Sequence, residues 1–222
     1  MAVSPPTTTL ASLGATVQLL ATPQDALGNP VAGQTVTWTS SNNAVAMVGV
    51  SGLVTAITTG GPVTITATVG SKSGTATVTV AQTVASVSVS PPATTLASFG
   101  ETQQLTATAL DASGATVSGL PVSWSSSNSS VASVSNSGLV TAVSDGGPVT
   151  FTATVGAKSG TATVTVAQAV NNIVVAPGTT TLVSLGQTVQ LTATPSDANG
   201  HPVNGATVTW SSSNAGVATV NG

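Results

Sequence analysis

The chain has 222 residues, 41% of them hydrophobic but only 3% charged and 2% aromatic. That is too apolar, and too rich in Val and Thr, for a disordered segment, and no apolar run approaches the ~18 residues of a membrane-spanning helix. Two Lys, no Arg and a net charge of −3 exclude a nucleic-acid binder that works by neutralising phosphates, and the absence of Cys excludes disulfides and thiolate metal sites.

The N-terminus, MAVSPPTTTL, has neither a basic stretch nor a continuous apolar core, so no signal peptide is expected within the chain. The sequence then repeats itself. Trp38, Trp124 and Trp210 stand 86 residues apart, and Leu10, Leu96 and Leu182, Gly14, Gly100 and Gly186, and Asp25, Asp111 and Asp197 keep the same spacing. The run KSGTATVTVAQ occurs identically from Lys72 and from Lys158. A period of 86 residues is a small-domain length, longer than a solenoid turn. It divides the chain into a first repeat, 1–84, with a shortened first strand, a second, 85–170, and a partial third, 171–222.

The second repeat shows the strands in order. VASVSVS from Val84 is a first strand, and TQQLTATAL from Thr102 a second, with Leu105, Ala107 and Ala109 on one face. PVSWSSS from Pro121 is a third, with Val122 and Trp124 inward, and VASV from Val131 and SGLVTAV from Ser137 are the fourth and fifth. VTFTATV from Val149 and GTATVTVA from Gly160 are the sixth and seventh, joined by the loop GAKSG. Here Val149, Phe151, Ala153 and Val155 alternate with threonines, as do Ala162, Val164 and Val166: one face is buried and the other is wet. Seven short strands between Gly, Pro, Asn and Asp turns predict an all-β fold of tandem immunoglobulin-like antiparallel β-sandwiches, two complete and the third truncated. The third copy stops at the counterpart of Asn136, so strands one to four are expected there without five to seven, in a frayed state or completed by another polypeptide. The linkers 81–87 and 167–173 are short and free of Gly/Ser runs, which predicts a semi-rigid array with modest contacts between repeats.

Catalysis needs reactive groups within hydrogen-bond reach of one another. Asp25, Asp111 and Asp197 fall one domain apart, more than ~23 Å for strands of about seven residues, and Glu101, Asp145 and His201 each occur in one repeat only. No enzyme activity and no cofactor are expected. The loops DALGN, DASGA and DANGH pose a calcium question, because a carboxylate with Asn and carbonyl oxygens can ligate Ca²⁺. The second loop has a single carboxylate and no Asn, so the expected role is a turn, in which Asp accepts from its own loop and Gly takes positive φ. Ca²⁺ ligation by Asp25, Asp111 and Asp197 is the alternative. His201 is expected to be solvated. The threonine rows (Thr64, Thr66, Thr68 and Thr75, Thr77, Thr79) are expected to keep an outer face wet, ice or sugar binding being the rival role; the GGP stretches at Gly60 and Gly146 are expected as loops.

At VTWSSSN…VATV, SGLVTAV, VTFTATVG and SGTATVTV, and in the opening pattern from Val87 to Thr108 and from Ile173 to Thr194, the chain resembles the bacterial immunoglobulin-like group 2 family. The resemblance implies extracellular modules of bacterial surface proteins, among them adhesins of the intimin and invasin type, and of secreted enzymes and phage virions. It implies a non-enzymatic spacer or presenting segment at the cell surface. Its partners would be the other modules of a longer protein and a host or cell-surface ligand, protein or glycan. Two alternatives are a filament or virion subunit completed by strand addition, associating homotypically through the third repeat, and an accessory carbohydrate-binding module. The family carries no catalytic residue to transfer.

Overall fold

The structure, a computed structural model, describes residues 1–221. Among them every regular element is a strand. In the first repeat these are β1 (Ala2–Ser4), β2 (Thr7–Leu10), β3 (Thr16–Gln18), β4 (Leu20–Thr22), β5 (Thr37–Ser40), β6 (Ala46–Val48), β7 (Leu53–Ala56), β8 (Gly60–Val69) and β9 (Lys72–Val80). The second repeat follows with β10 (Ser86–Ser90), β11 (Ala93–Leu96), β12 (Thr102–Gln104), β13 (Thr106–Leu110), β14 (Ser123–Ser126), β15 (Ala132–Val134), β16 (Leu139–Ala142), β17 (Gly146–Val155) and β18 (Lys158–Val166). The third contributes β19 (Asn172–Ala176) and β20 (Thr192–Ser196).

By its contacts the chain forms two compact units, one of Met1–Ser88, Ala107–Ser123 and Ala153–Gly160, the other of Val89–Thr106, Trp124–Thr152 and Thr161–Gly222. In the first unit a four-stranded sheet runs β2-β9-β8-β5, and β3-β7-β6 and β1-β4 form the opposite layer. β8 and β9 are antiparallel, with Thr64 opposite Thr77 and Thr66 opposite Thr75, while β2 joins β9 in parallel, Leu10 opposite Val80. This register stacks threonine beside threonine on the outer face and leaves Val63, Ile65, Ala76, Val78 and Val80 to fill the core with Leu10, Leu19 and Val54. The second unit repeats the plan around Phe151, with Leu96, Leu105, Val140, Val149 and Val164. Trp38 and Trp124, each half-buried, pack on these cores. They also explain the glycine of SGLVTA. Gly52 and Gly138 sit at φ +81° and +83°, and a Cβ there would fall 2.6 Å from the carbonyl oxygen of Leu19 or Leu105 and within 3 Å of the tryptophan ring.

The all-β immunoglobulin-like fold agrees with the periodicity, but several elements differ from the prediction. The single second strand from Thr102 is two, β12 and β13, because the pairing partner changes at Leu105: β12 pairs with β16 and β13 with β10, while the Leu105 side chain is buried and its N–H goes to Gly138 O at 2.9 Å. The first strand likewise continues into a second piece, β11, paired in parallel with β18. GAKSG is a two-residue turn, Gly156–Ala157, with Lys158 already in β18. The GGP stretches are not loops: they open β8 and β17, and in the first repeat they carry a register irregularity between Gly60 and Val63. In the third repeat only the first strand and the end of the second pair, Val174 opposite Thr194. The expected third and fourth strands form no ladder in 203–221. Their counterparts in the first repeat pair with β8 and β7, and residues 171–221 contain neither partner.

Candidate functional site

The repeated aspartates occupy equivalent loops, 25–29, 111–115 and 197–201. In each, Oδ1 accepts the backbone N–H groups two and four residues on: Leu27 and Asn29 at 2.9 and 2.9 Å, Ser113 and Ala115 at 2.9 and 3.0 Å, Asn199 and His201 at 3.0 and 2.9 Å. The main chain closes the same ring, with the Asp N–H donating to the fifth residue's carbonyl and the glycine N–H returning to that of the Asp. This is the self-bonded Asp-Gly turn expected from the sequence.

What differs is Oδ2. In the first unit, Asp111 Oδ2 accepts the backbone N–H of Leu13 at 3.0 Å and Gln82 Nε2 at 2.8 Å. In the second, Asp197 Oδ2 accepts Phe99 N at 2.9 Å and Gln168 Nε2 at 2.9 Å. The donors come from the preceding repeat, and each is positioned by its own sandwich. The turn Ser12-Leu13-Gly14 is tied to β7 by Gly14 N to Ala56 O at 2.9 Å, and Ser98-Phe99-Gly100 to β16 by Gly100 N to Ala142 O at 2.9 Å. The Ala-Gln after the last strand is laid beside that turn by Ala81 N to Leu10 O and Ala167 N to Leu96 O, both 2.9 Å. Each carboxylate is therefore a latch that gathers an S-x-G turn and a linker glutamine from one repeat onto a loop of the next. In the second unit Ser98 Oγ also accepts Ala198 N at 3.2 Å, and Asn199 Nδ2 donates to Phe99 O at 2.8 Å.

The latch leaves Asp111 and Asp197 buried, at 3% and 2% exposure, whereas Asp25 is exposed. Both buried carboxyls are nevertheless held well below the ordinary value of 3.8. For Asp111 the Gln82 amide is the largest influence; burial opposes it, and Ser113, Leu13 and Ala115 add to it. For Asp197 burial pushes upwards, but the Gln168 amide and the N–H groups of His201, Phe99 and Asn199 outweigh it. Asp25 is lowered too, by Asn29 first.

The structure thus keeps the three aspartates in turns, with N–H donors on both carboxylate oxygens of Asp111 and Asp197 and the Ser113 hydroxyl as a further donor to Asp111. Among the described residues no three His, Asp or Glu side chains gather as a metal site. Glu101 caps its own turn, its Oε2 accepting Ala97 N at 2.7 Å and Ser98 N at 3.1 Å. Asp145 Oδ1 accepts Gln168 N at 2.7 Å, so Gln168 bridges two carboxylates. His201 is less free than expected: its Nδ1 lies 3.5 Å from Asp197 Oδ1, and its ring is 6.0 Å from that of Phe99. A cleft of about 280 Å³ beside Val117 and Leu120 is lined by no titratable side chain. The glutamines Gln82 and Gln168 and the turn amides were not picked out from the sequence. The signal was present in the A-Q that follows the last strand at the same spacing in both repeats.

The model of the bacterial Ig-like domain (group 2) matches residues 1–80 and 83–166. No curated protein matches the chain. Among solved structures it is similar to domains 1–6 of the surface layer protein SbsC (27% identity over 85% of this chain and 27% of that one, TM-score 0.40). It is also similar to the Escherichia coli adhesin FdeC (25% identity over 92% and 74%, TM-score 0.43) and to Yersinia pseudotuberculosis InvD (23% identity over 91% and 71%, TM-score 0.31). The chain spans about a quarter of the length of that SbsC chain. With two matched segments that together cover most of its length, the chain belongs to the bacterial Ig-like domain (group 2) family.

Proposed function

We propose that the chain is a non-enzymatic structural segment of a bacterial cell-surface or secreted protein, whose repeats 1–84, 85–170 and 171–222 act as a spacer that presents or assists an adhesive part. The observation that carries this reading is the latch. The two buried carboxylates among the described residues, Asp111 and Asp197, serve to join one repeat to the next. The family assignment supports the same reading. Antibodies raised against the purified chain should label intact cells of the source bacterium, and external protease should remove the label. Labelling that appears only after permeabilisation would overturn the surface assignment.

The third repeat favours a second reading, a subunit completed by strand addition. Ile173, Val174 and Val175 of β19 are 40–56% exposed, and Val183, Leu185 and Val217 are more than 80% exposed. Light scattering across a concentration series decides between them: a mass that rises with concentration supports association, and a constant monomer dismisses it.

A further inference from the structure

Two of the three aspartate loops hold a partner, and the third has the same internal geometry without one. Asp25 Oδ1 is bonded within its loop as in Asp111 and Asp197. Among the described residues its Oδ2 takes only Asn29 Nδ2, at 3.2 Å, from the same loop. We propose that the Asp25 loop is a docking site for another repeat of this class, one that brings an S-(Leu/Phe)-Gly turn and an Ala-Gln after its last strand.

Three observations support that occupant. First, the acceptor is preformed: the bonds that shape the loop around Asp111 and Asp197 are already made around Asp25, so docking need not order it. Second, the incoming chemistry is specified by the two filled copies. A backbone N–H and a primary amide, both neutral, converge on one carboxylate oxygen, at 3.0 and 2.8 Å in one case and 2.9 and 2.9 Å in the other. Such bonds to an ionised acceptor are stronger than neutral ones. Third, Leu27 stands 88% exposed at the position where Asn199 reaches the incoming turn through Phe99 O. A leucine there would meet the Leu or Phe at the centre of the turn with an apolar contact instead of a hydrogen bond.

This inference rests on the tandem reading of the repeats but not on their place in the cell, so the test uses purified protein and can fail independently of the labelling experiment. A further copy of residues 85–172 is joined directly ahead of Met1 of the full chain, which keeps the 86-residue spacing. In this extended protein the Asp25→Asn variant should lower the melting temperature of the first repeat clearly more than it does in the original chain. Gln168→Ala, made only in the added copy, should reproduce part of that loss. Equal effects of Asp25→Asn with and without the added repeat would overturn the proposal, as would a first repeat whose melting is unchanged by the addition. Because Asp25→Asn is compared with itself in two contexts, loss of its role within the loop cancels.

Discussion

The second and third repeats begin almost alike and end differently. Leu96 is 2% exposed and Leu182, 86 residues on, is 41% exposed; Leu105 is buried at 1%, while Leu191 is only partly covered. The local pattern is the same in both, so pattern does not decide the outcome. The difference lies in what the strands pair with. In the first repeat β2 leans on β9, β5 on β8, and β3 and β6 on β7. The last three strands of a repeat thus supply a ladder partner to each earlier strand of the sandwich except β1 and β4, which pair with one another. Where they are present an apolar face becomes a core, and where they are not, 203–221 forms no strand.

The sharpest way to break this comparison is the matched pair Leu96→Ala and Leu182→Ala. The first should destabilise its repeat by about 2–5 kcal/mol, as a buried leucine leaving a cavity does. The second should stay within about 0.5 kcal/mol, as exposed positions do. Urea melts of the two variants check this, and equal losses would mean that the third repeat is closed. Gly138→Ala comes next, with a cost of about 2–4 kcal/mol from a left-handed φ and the collision with Leu105 O and the Trp124 ring. Gly216→Ala, at a position without positive φ, should be near neutral in the same melt.

A smaller effect separates the filled latch from the open one. Asp111 takes five donors on two oxygens, from Ser113 N, Ser113 Oγ, Ala115 N, Leu13 N and Gln82 Nε2. Asparagine offers one acceptor oxygen and turns an N–H group towards donors. Asp111→Asn should therefore lower the melting temperature at pH 7 more than Asp25→Asn does, as read by calorimetry. The pH dependence has a definite sign. The folded-state pKa values of Asp111 and Asp197 lie below the ordinary 3.8. Their contribution is therefore complete above about pH 4–5 and is lost as the pH falls through 3.8 towards the lower folded values. The double variant Asp111→Asn, Asp197→Asn should flatten the acid limb of the stability profile; an unchanged limb would contradict the latch.

Much of the fold was legible because period-2 alternation in Phe151–Val155 and Ala162–Val166 encodes a half-buried strand directly. The split at Leu105 was not, because a strand whose partner changes along its length, from β16 to β10, keeps its alternation. The loops of Asp25, Asp111 and Asp197 read correctly as turns, since an Asp and a Gly three residues apart specify that geometry locally. Half of the latch was hidden: the repeated A-Q marks Gln82 and Gln168, but Leu13 and Asp111 are 98 residues apart and that donor is a backbone N–H that carries no side-chain signature.

The central claim is that one carboxylate in each filled loop is buried, ionised and held by a neighbouring repeat. Its most direct test is a carbon-detected NMR titration of the three loop aspartates in the intact chain. The account predicts that Asp111 and Asp197 titrate at lower pH than Asp25, and that Gln82→Ala moves Asp111 alone towards Asp25. A common titration of all three would contradict it.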